Sequence, residues 1–348
     1  MLVLGIESTC DETAAAVVRD GRCVLSSVVA SQAELHAVYR GVVPEIACRA
    51  HIENLLPTLR EALDRADADE RSIDAIAVAH RPGLIGSLLI GVTSAKTLAW
   101  AWDKPLLGVD HVQAHLHSVM LHRVDAAAPD GPRFPAVGLV VSGGHTALYT
   151  LRSFEQVALV GSTIDDAVGE AYDKVSAILG LGYPGGPVID SLARRGNADA
   201  VRFPRTMLDP GSLDFSFSGL KTAVLYHVRG KKGRERDASS LSDAERADVA
   251  ASFQQACIDV ILEKLRRAID RCDAQSVIVG GGVSANRGLR AALSALGLPV
   301  HLPEPEFCTD NAAMVAGLGD TLLRAGRRSG LDLDAITHSQ LVRAEDAP

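Results

Sequence analysis

The sequence predicts an α/β protein built from two similar lobes that face each other across a central cleft. Residues 2–18 form a strand, a polar turn and a second strand, and residues 136–151 repeat that unit. Strands and helices separated by glycines then alternate in each half, a pattern typical of layered α/β domains. The length of 348 residues is sufficient for two domains of ordinary size.

Short apolar runs and helical periodicity place the individual elements. In the first half, strands are predicted at residues 2–7, 14–18, 23–30, 73–79 and 106–109, and helices at residues 44–66 and 87–102. In the second half, strands are predicted at residues 136–141, 147–151, 157–160, 276–279 and 300–302, and helices at residues 165–179, 286–296 and 311–325.

A stretch rich in Ala, Pro, Gly and Asp at residues 125–133 marks the boundary between the lobes. The first lobe is therefore predicted at residues 1–125, completed by a C-terminal helix at about residues 311–345. The second lobe is predicted at residues 126–310, with a helical insertion at about residues 198–262.

The composition argues against several classes of protein. The chain has no run of 18 apolar residues and no basic segment at its N-terminus, so neither a membrane span nor a signal peptide is expected. Six scattered cysteines without a C-x-x-C pair suit a reducing, cytoplasmic location. A net charge of −8 opposes non-specific binding of nucleic acid. The basic run at residues 229–236 is either a solvated loop or a nucleic-acid contact.

A pair of histidines gives the first candidate site. His111 and His115 lie four residues apart, which places them on the same face of a helix. They either bind one metal ion or are ordinary hydrogen-bonded helix histidines. The zinc-protease motif H-E-x-x-H has a glutamate after its first histidine, whereas Val112 stands here, so the usual hydrolytic base is absent. Asp310 is either a plain N-cap or the carboxylate of a two-histidine, one-carboxylate site, which suits iron(II) or zinc.

Two glycine turns give the second candidate site. Ser142-Gly-Gly-His-Thr146 and Gly280-Gly-Gly-Val-Ser-Ala-Asn286 both follow apolar strands. Glycine lets the backbone approach a phosphate and present N–H donors to it. Either turn alone is equally well a simple tight turn, but the pair on a duplicated scaffold favours a nucleotide.

Acidic residues and one further turn flank these loops. Gly186, in the rigid turn Tyr183-Pro-Gly-Gly-Pro187, could pack against a ribose or base, and Asp190 follows one helical turn later. Asp165, Asp166, Glu170 and Asp173 crowd the predicted helix at residues 165–179, where they would otherwise form a solvated acidic face.

Together these motifs resemble the TsaD family of tRNA N6-adenosine threonylcarbamoyltransferases. The matching strings lie at residues 5–13, 41–45, 111–115, 141–146, 165–174, 183–186, 215–221, 280–286 and 309–311, in the family's order and spacing. The resemblance implies a two-lobed actin-like, sugar-kinase-like (ASKHA) fold. It also implies transfer of the threonylcarbamoyl group from threonylcarbamoyl-AMP to N6 of the adenosine 3′ of the anticodon, in tRNAs that read codons beginning with A.

The resemblance also assigns residues and partners. It implies one divalent metal, iron(II) or zinc with iron(II) favoured, on His111, His115 and Asp310, and it makes Asp11 and Glu12 the candidate catalytic carboxylates. The adenylate would be held by Val140, Val141, Ser142, Gly143, Gly144, Asp173, Gly186, Asp190 and Asn286. A TsaB-like paralogue and a TsaE-like ATPase are the expected protein partners. The alternatives are an actin-like ATPase, a scaffold subunit of a tRNA-modifying complex, or a metallopeptidase.

Two positions depart from the family's motifs. Arg81 in Ala79-His-Arg-Pro-Gly-Leu84 and Arg40 in Tyr39-Arg-Gly41 stand where the family usually has glycine. Both changes add a cation beside the loops of the first lobe and leave the metal and nucleotide residues untouched.

Overall fold

Two compact units make up the chain. The structure is a computed structural model that describes residues 1–39, 41–207, 209–230 and 238–344. The first unit contains residues 1–131, 152–157 and 303–341, and the second contains residues 132–151, 158–302 and the chain from residue 342 onward. Arg40 and most of the basic run at residues 229–236 lie outside the described residues. The lobe boundaries expected at residues 125 and 310 stay a prediction.

The predicted elements appear in the predicted order. The strands are β1 (Leu2–Glu7), β2 (Glu12–Arg19), β3 (Cys23–Ser31), β4 (Ala75–Arg81), β5 (Leu106–Asp110), β6 (His122–Arg123), β7 (Ala136–Val141), β8 (Thr146–Leu151), β9 (Val157–Ser162), β10 (Ser276–Gly280) and β11 (Val300–His301). The α-helices are α1 (Ala33–Ala37), α2 (Pro44–Arg65), α3 (Ile85–Trp102), α4 (His111–His117), α5 (Val168–Leu179), α6 (Gly185–Ala193), α7 (Ser218–Arg229), α8 (Asp243–Cys272), α9 (Arg287–Leu293) and α10 (Ala312–Arg324). Helices α1 and α6 and strand β6 are additional to the predicted elements.

A mixed sheet organises each unit, and the two sheets share one strand order. The first sheet runs β5-β4-β1-β2-β3-β6 and the second runs β11-β10-β7-β8-β9. In both, the first strand pairs antiparallel with the next strand in sequence and parallel with a later one, as β1 does with β2 and β4 and β7 does with β8 and β10. The duplication predicted from the sequence is therefore confirmed.

Helix α10 packs closely on β1 in the first unit. A Cβ atom at Gly5 would lie only 2.2 Å from the carbonyl oxygen of Ala312. Glycine is therefore required at this position of β1, where the first residue of α10 approaches the strand. This approach sets the start of α10 against the end of the strand that carries Glu7. On other parts of the sheet, α2 packs on β2 and β3, and α3 packs on β4.

The core of the second unit is a large apolar cluster that includes three fully buried phenylalanines. Phe215, Phe217 and Phe253 are fully buried, and α8 packs against α6 and β7. The helical insertion expected at residues 198–262 consists of α7 and of α8, which continues to Cys272. Burial of these rings removes a large apolar area from water and stabilises the unit.

The helix predicted at residues 165–179 begins later, at Val168. The carboxylate of Asp165 instead accepts hydrogen bonds from the backbone N–H groups of Phe217 (2.9 Å) and Ser218 (3.2 Å). It also accepts one from the Ser218 hydroxyl at 2.6 Å, and it therefore caps α7. Asp166 pairs with Lys174 and Lys221 at 2.8 and 3.1 Å. Asp165 is exposed but is held by donors 52 and 53 positions away, and Asp166 is paired with two lysines, so neither carboxylate belongs to an unpaired acidic face.

Replacing this cap should destabilise the second unit. We expect Asp165→Ala to lower the free energy of unfolding by about 1–2 kcal/mol at pH 7, the usual contribution of a helix cap. Burial would raise the pKa of Asp165, but the hydrogen bonds from Ser216 and Ser218 outweigh it and lower the pKa from 3.8. The contribution is therefore present above about pH 4 and lost as the pH falls through the lowered pKa.

Urea denaturation at pH 7 and pH 3 measures this effect. The matched control is Asp270→Ala, which removes an exposed carboxylate from α8. Equal destabilisation by the two variants at pH 7 would show that Asp165 does not act as a cap.

Candidate metal centre and glycine-lined site

The helix that carries both candidate histidines starts at a buried aspartate. Asp110 Oδ1 accepts hydrogen bonds from the backbone N–H groups of Val112 and Gln113, at 3.1 and 3.2 Å, and so serves as the N-cap of α4. His111 is thereby the first residue of the helix, and His115 lies one turn later on the same face. The two imidazole rings are edge to face, with centroids 4.7 Å apart.

Asp310 completes this group from a distant part of the chain. Its Oδ1 lies 3.1 Å from Nε2 of His115 and 3.5 Å from Nε2 of His111. One ligand atom from each of the three residues lies within 4.8 Å of the others. The N-cap alternative for Asp310 is wrong, because Asn311 caps α10 by accepting a hydrogen bond from the N–H of Met314. The Asp310 carboxylate is left facing the imidazoles.

A buried glutamate that the motif reading did not single out stands behind His111. Glu7 Oε2 lies 2.8 Å from Nδ1 of His111, and Glu7 Oε1 accepts a 2.6 Å hydrogen bond from the N–H of Thr9. A carboxylate on Nδ1 favours the tautomer with its proton on Nδ1, in which Nε2 is the nitrogen whose lone pair can bind a metal ion. Burial would lower the pKa of His111, but the charges of Glu7 and Asp310 outweigh it and raise the pKa to about 10.

This donor set fits a divalent transition metal. Two imidazole nitrogens and one carboxylate converge, with a carboxylate behind one imidazole, as is usual for histidine ligands. Such a set with open positions suits iron(II) or zinc. Hydrogen-bonded helix histidines also account for the 3.1 Å contact between His115 and Asp310, so the metal rests on the three ligand atoms lying within 4.8 Å of one another.

The candidate catalytic carboxylates lie at the turn between β1 and β2. Burial raises the pKa of Glu12 to about 9, with further contributions from the charges of Asp310 and Asp11. A cation bound by Asp310 would oppose the rise in the pKa of Glu12, because its positive charge would offset the negative charge of the Asp310 carboxylate. Cys10 belongs to the same group, since burial and the same carboxylates raise the pKa of its thiol.

The glycine turn between β7 and β8 presents an open backbone. Ser142 closes the turn by donating its N–H to the carbonyl of His145 and accepting the N–H of His145 on its hydroxyl, at 2.8 and 3.1 Å. A Cβ atom at Gly143 or at Gly144 would meet nothing within 4 Å. Val140 and Val141, which precede the turn, have buried side chains, so only their backbone groups are available to a ligand.

The other predicted adenylate residues are tied to helices of the same unit. Asp173 Oδ1 accepts a 2.6 Å hydrogen bond from the N–H of Gly185, which fixes the start of α6. Gly186 is open, with no atom within 4 Å of a Cβ placed there. The N–H of Gly169, in α5, donates to the carbonyl of Ser142 at 3.2 Å, so the helix that carries Asp173 is joined to the glycine turn.

Gln254, on α8, is a further residue that the motif reading missed. Its Oε1 accepts a 2.8 Å hydrogen bond from Nδ2 of Asn286, and its Nε2 donates to Asp190 at 3.3 Å. Asn286 Oδ1 in turn caps α9 by accepting the N–H of Leu289 at 2.9 Å. Gln254 therefore fixes the side chains of two predicted adenylate residues, although glutamine inside a long helix gives no sequence signal for such a role.

Among the described residues, the helices are too short or too polar to cross a membrane. The six cysteines are free thiols.

Comparison with solved structures defines the class of protein. The described fold superposes on full-length HypF in its phosphate- and nucleotide-bound form with a TM-score of 0.56 and 13% identity, covering 97% of this chain and 47% of HypF. It matches component A of (R)-2-hydroxyglutaryl-CoA dehydratase from Acidaminococcus fermentans with a TM-score of 0.52 and 13% identity, covering 94% and 100%. The chain has the actin-like, sugar-kinase-like (ASKHA) fold of these proteins.

Comparison of sequences identifies the family. The TsaD family model, described as tRNA N6-adenosine threonylcarbamoyltransferase, matches residues 23–317. The enzyme of that name from Symbiobacterium thermophilum is 51% identical over 339 residues, covering 96% of this chain and 95% of the relative. The one from Trichlorobacter lovleyi is 48% identical over 355 residues, covering both chains completely. The chain belongs to the tRNA N6-adenosine threonylcarbamoyltransferase family, and it is an enzyme that transfers the threonylcarbamoyl group to tRNA.

Proposed function

We propose that the donor is threonylcarbamoyl-AMP and that the acceptor is N6 of the adenosine 3′ of the anticodon, in tRNAs that read codons beginning with A. AMP is the leaving group, and the reaction takes place in the cytoplasm, where tRNA is available. The observation that carries this proposal is the convergence of His111, His115 and Asp310 in front of Glu7. A phosphotransferase leaves the two histidines unexplained, because such enzymes usually hold Mg²⁺ through carboxylates and substrate phosphates.

Three side chains of the first unit would hold a metal ion beside the electrophile. His111, His115 and Asp310 would bind one divalent ion, with iron(II) favoured and zinc as the second candidate. When bound, such an ion supplies Lewis-acid polarisation to the threonylcarbamoyl group. Glu7 keeps the proton of His111 on Nδ1, and the N-cap at Asp110 keeps both imidazoles on one face of α4.

The glycine-lined site holds the adenylate. Backbone N–H groups of Gly143 and Gly144 would donate hydrogen bonds to the phosphate, which requires the close approach that glycine permits, while the Ser142 N–H keeps the turn closed. Asp190 and Asn286 would contact the adenosine, with their side chains held by Gln254. Gly186 offers an open backbone surface to the ribose or base, and Asp173 holds that turn in place.

The chemical step is an acyl transfer. The N6 amine forms a C–N bond to the carbamoyl carbon, and the bond from that carbon to the phosphate oxygen breaks and releases AMP. The amine loses one proton, and Asp11 or Glu12 would accept it as general base. An exocyclic amine is a poor nucleophile. The carboxylate would therefore make the amine more nucleophilic by accepting its proton, and polarisation of the carbamoyl carbonyl would make the carbon more electrophilic.

Nucleoside analysis tests the donor and the acceptor position. Purified chain, the two partner proteins, synthetic threonylcarbamoyl-AMP and an unmodified tRNA should yield N6-threonylcarbamoyladenosine and one AMP for each modified nucleoside. The matched substrate carries guanosine at the position 3′ of the anticodon and should remain unmodified. Modification of that control tRNA would disprove the acceptor assignment, and AMP release without nucleoside formation would disprove the transfer.

We propose that a TsaB-like paralogue docks on apolar side chains exposed by α2 and α3. Ile52 and Leu56, one turn apart on α2, are 60% and 61% exposed. Ile85 and Leu89, one turn apart on α3, are 48% and 43% exposed. The two helices pack against each other, and clustered exposed apolar groups are typical of protein interfaces. A TsaE-like ATPase is proposed from the family resemblance alone.

The partners should be required for repeated turnover. A chain with a net charge of −8 has weak electrostatic affinity for tRNA phosphates, so we expect slow multiple turnover without them. The variant Ile52→Asp/Leu56→Asp should lose binding to the paralogue in calorimetry and drop to the rate of the isolated chain. The matched control is Tyr226→Asp, at a residue 49% exposed on α7 of the second unit. Equal multiple-turnover rates with and without the partners would refute the dependence.

A further inference from the structure

The carboxylate of Asp110 is a junction between the metal-ligand helix and two other parts of the first unit. Its side chain is fully buried. One oxygen, Oδ1, caps α4. The other oxygen, Oδ2, accepts hydrogen bonds from Nε of Arg81 at 3.2 Å and from the hydroxyl of Ser339 at 2.8 Å. The residue immediately before the ligand His111 is therefore tied to α4, to Arg81 and to Ser339.

Arg81 supplies the positive charge at this junction. It is the last residue of β4, and its side chain is only 23% exposed. The regular register between β4 and β5 shifts at this point, so that Arg81 lies opposite Asp110. A second guanidinium nitrogen donates to the side-chain oxygen of Gln340. Arg81 thus joins the cap of α4 to the C-terminal part of the chain, which a glycine at this position would leave unconnected.

The C-terminal segment at residues 329–340, here called the C-terminal brace, is fixed along the same edge of the sheet. The hydroxyl of Ser329 accepts the N–H of Gly108 at 2.9 Å, and the N–H of Ile336 donates to the carbonyl of His80 at 2.9 Å. Lys96 on α3 donates to the carbonyl of Leu333 at 2.9 Å. Ala335 is buried among the residues of the first unit's core. The brace therefore presents Ser339 and Gln340 from a fixed position.

Geometry and electrostatics give these contacts a consequence for the metal site. Helix α4 has only seven residues, too few for a stable helix without tertiary support. Its first and fifth residues are the two histidine ligands, so a change in the cap moves both imidazoles. A buried carboxylate without a cationic partner is costly. Without the guanidinium and the Ser339 hydroxyl, Oδ2 has no partner that fixes the carboxylate, and a rotation of the carboxylate away from the N–H groups of Val112 and Gln113 weakens the cap.

We propose that Arg81 and the C-terminal brace are positioning elements for the metal centre, which act by fixing the Asp110 carboxylate at the start of α4. This inference rests on the proposed metal site. Arg81 touches neither ligand directly in this account, and its effect passes through Asp110. The change at this position relative to the family motif then has a defined result: the cap of the ligand helix acquires a cationic partner and a tie to the chain's end.

Metal affinity measured without turnover tests the inference. Co²⁺ is titrated into purified full-length protein in competition with a chromophoric chelator, with the ligand-field absorption as a second signal. We expect Arg81→Met to weaken Co²⁺ binding by roughly 10–100-fold, the usual cost of losing support behind a metal ligand. Ser339→Ala, which leaves the ion pair intact, should weaken it by roughly 3–10-fold, as expected for one hydrogen bond. The matched control, Arg65→Met, removes an exposed arginine of α2 that pairs with Glu61 and should bind like the parent.

A double variant separates positioning from general loss of stability. Asp110→Asn removes the buried charge that Arg81 compensates. It keeps an oxygen that can cap α4 and adds an N–H that can donate to Ser339. Arg81→Met/Asp110→Asn should therefore recover affinity to within about threefold of the parent. Hydrogen exchange at the amides of Val112 and Gln113, which the cap protects, should be faster in Arg81→Met and restored in the double variant.

Three results would overturn the inference. Parental Co²⁺ affinity in both Arg81→Met and Ser339→Ala would show that the junction does not affect the site. A double variant as weak as Arg81→Met would show that Arg81 acts by packing and not through Asp110. Parental affinity in a His111→Ala/His115→Ala variant would remove the proposed metal site itself, and this result is distinguishable because it does not involve Arg81.

Discussion

The variant His111→Ala/His115→Ala is expected to lose its divalent metal and nearly all transfer activity. Two of the three ligand atoms that converge on Asp310 are removed, and one carboxylate cannot hold a transition metal at micromolar concentration in water. Affinity should fall by roughly a thousandfold or more, since loss of even a supporting group costs 10–100-fold. Elemental analysis of the purified proteins measures the metal content directly.

Matched variants make this result specific. His122→Ala removes an imidazole that binds the carbonyl of Arg123 in the same unit, and it should retain the metal. Glu7→Gln keeps a hydrogen-bond acceptor beside His111 but removes the charge behind it, and should weaken binding by roughly tenfold. If the double histidine variant were as metal-loaded as the parent, the site would lie elsewhere.

The variant Gly144→Val is expected to bind adenylate roughly 5–150-fold more weakly than the parent. A Cβ atom at this position would meet no protein atom within 4 Å, so the fold should tolerate the substitution. The isopropyl group would instead occupy the space through which a phosphate must approach the N–H groups of the turn. Overfilling such a space costs about 1–3 kcal/mol, which corresponds to a loss of roughly 5–150-fold in affinity.

Calorimetry with AMP provides the measurement, and Gly211→Val provides the control. Gly211 lies in a loop of the same unit, and a Cβ there also meets nothing within 4 Å. Both variants should unfold at parental denaturant concentrations, while only Gly144→Val should lose affinity. Unchanged AMP binding by a folded Gly144→Val protein would count against the placement of the adenylate at this turn.

The sequence by itself determined the elements and the local motifs. Apolar runs and periodicity predicted every strand except β6 in the correct order along the chain, and the repeated strand–turn–strand unit predicted a duplicated α/β scaffold. The spacing of His111 and His115 placed both imidazoles on one helix face because helix geometry is fixed over four residues. Each of these patterns lies within a short segment of the sequence, because strand and helix periodicity depends on neighbouring residues.

The tertiary structure alone decided which distant side chains meet. Asp310 reaches His115 across 195 positions, and Glu7 reaches His111 across 104. Asp165 read as part of its own helix but caps α7, and Arg81 read as an isolated cation but holds the cap of the ligand helix. An acidic or basic side chain is compatible with solvent, a cap or an ion pair. Strand order and helix packing select among these by setting which groups share a buried space, where an unpaired charge is too costly to remain.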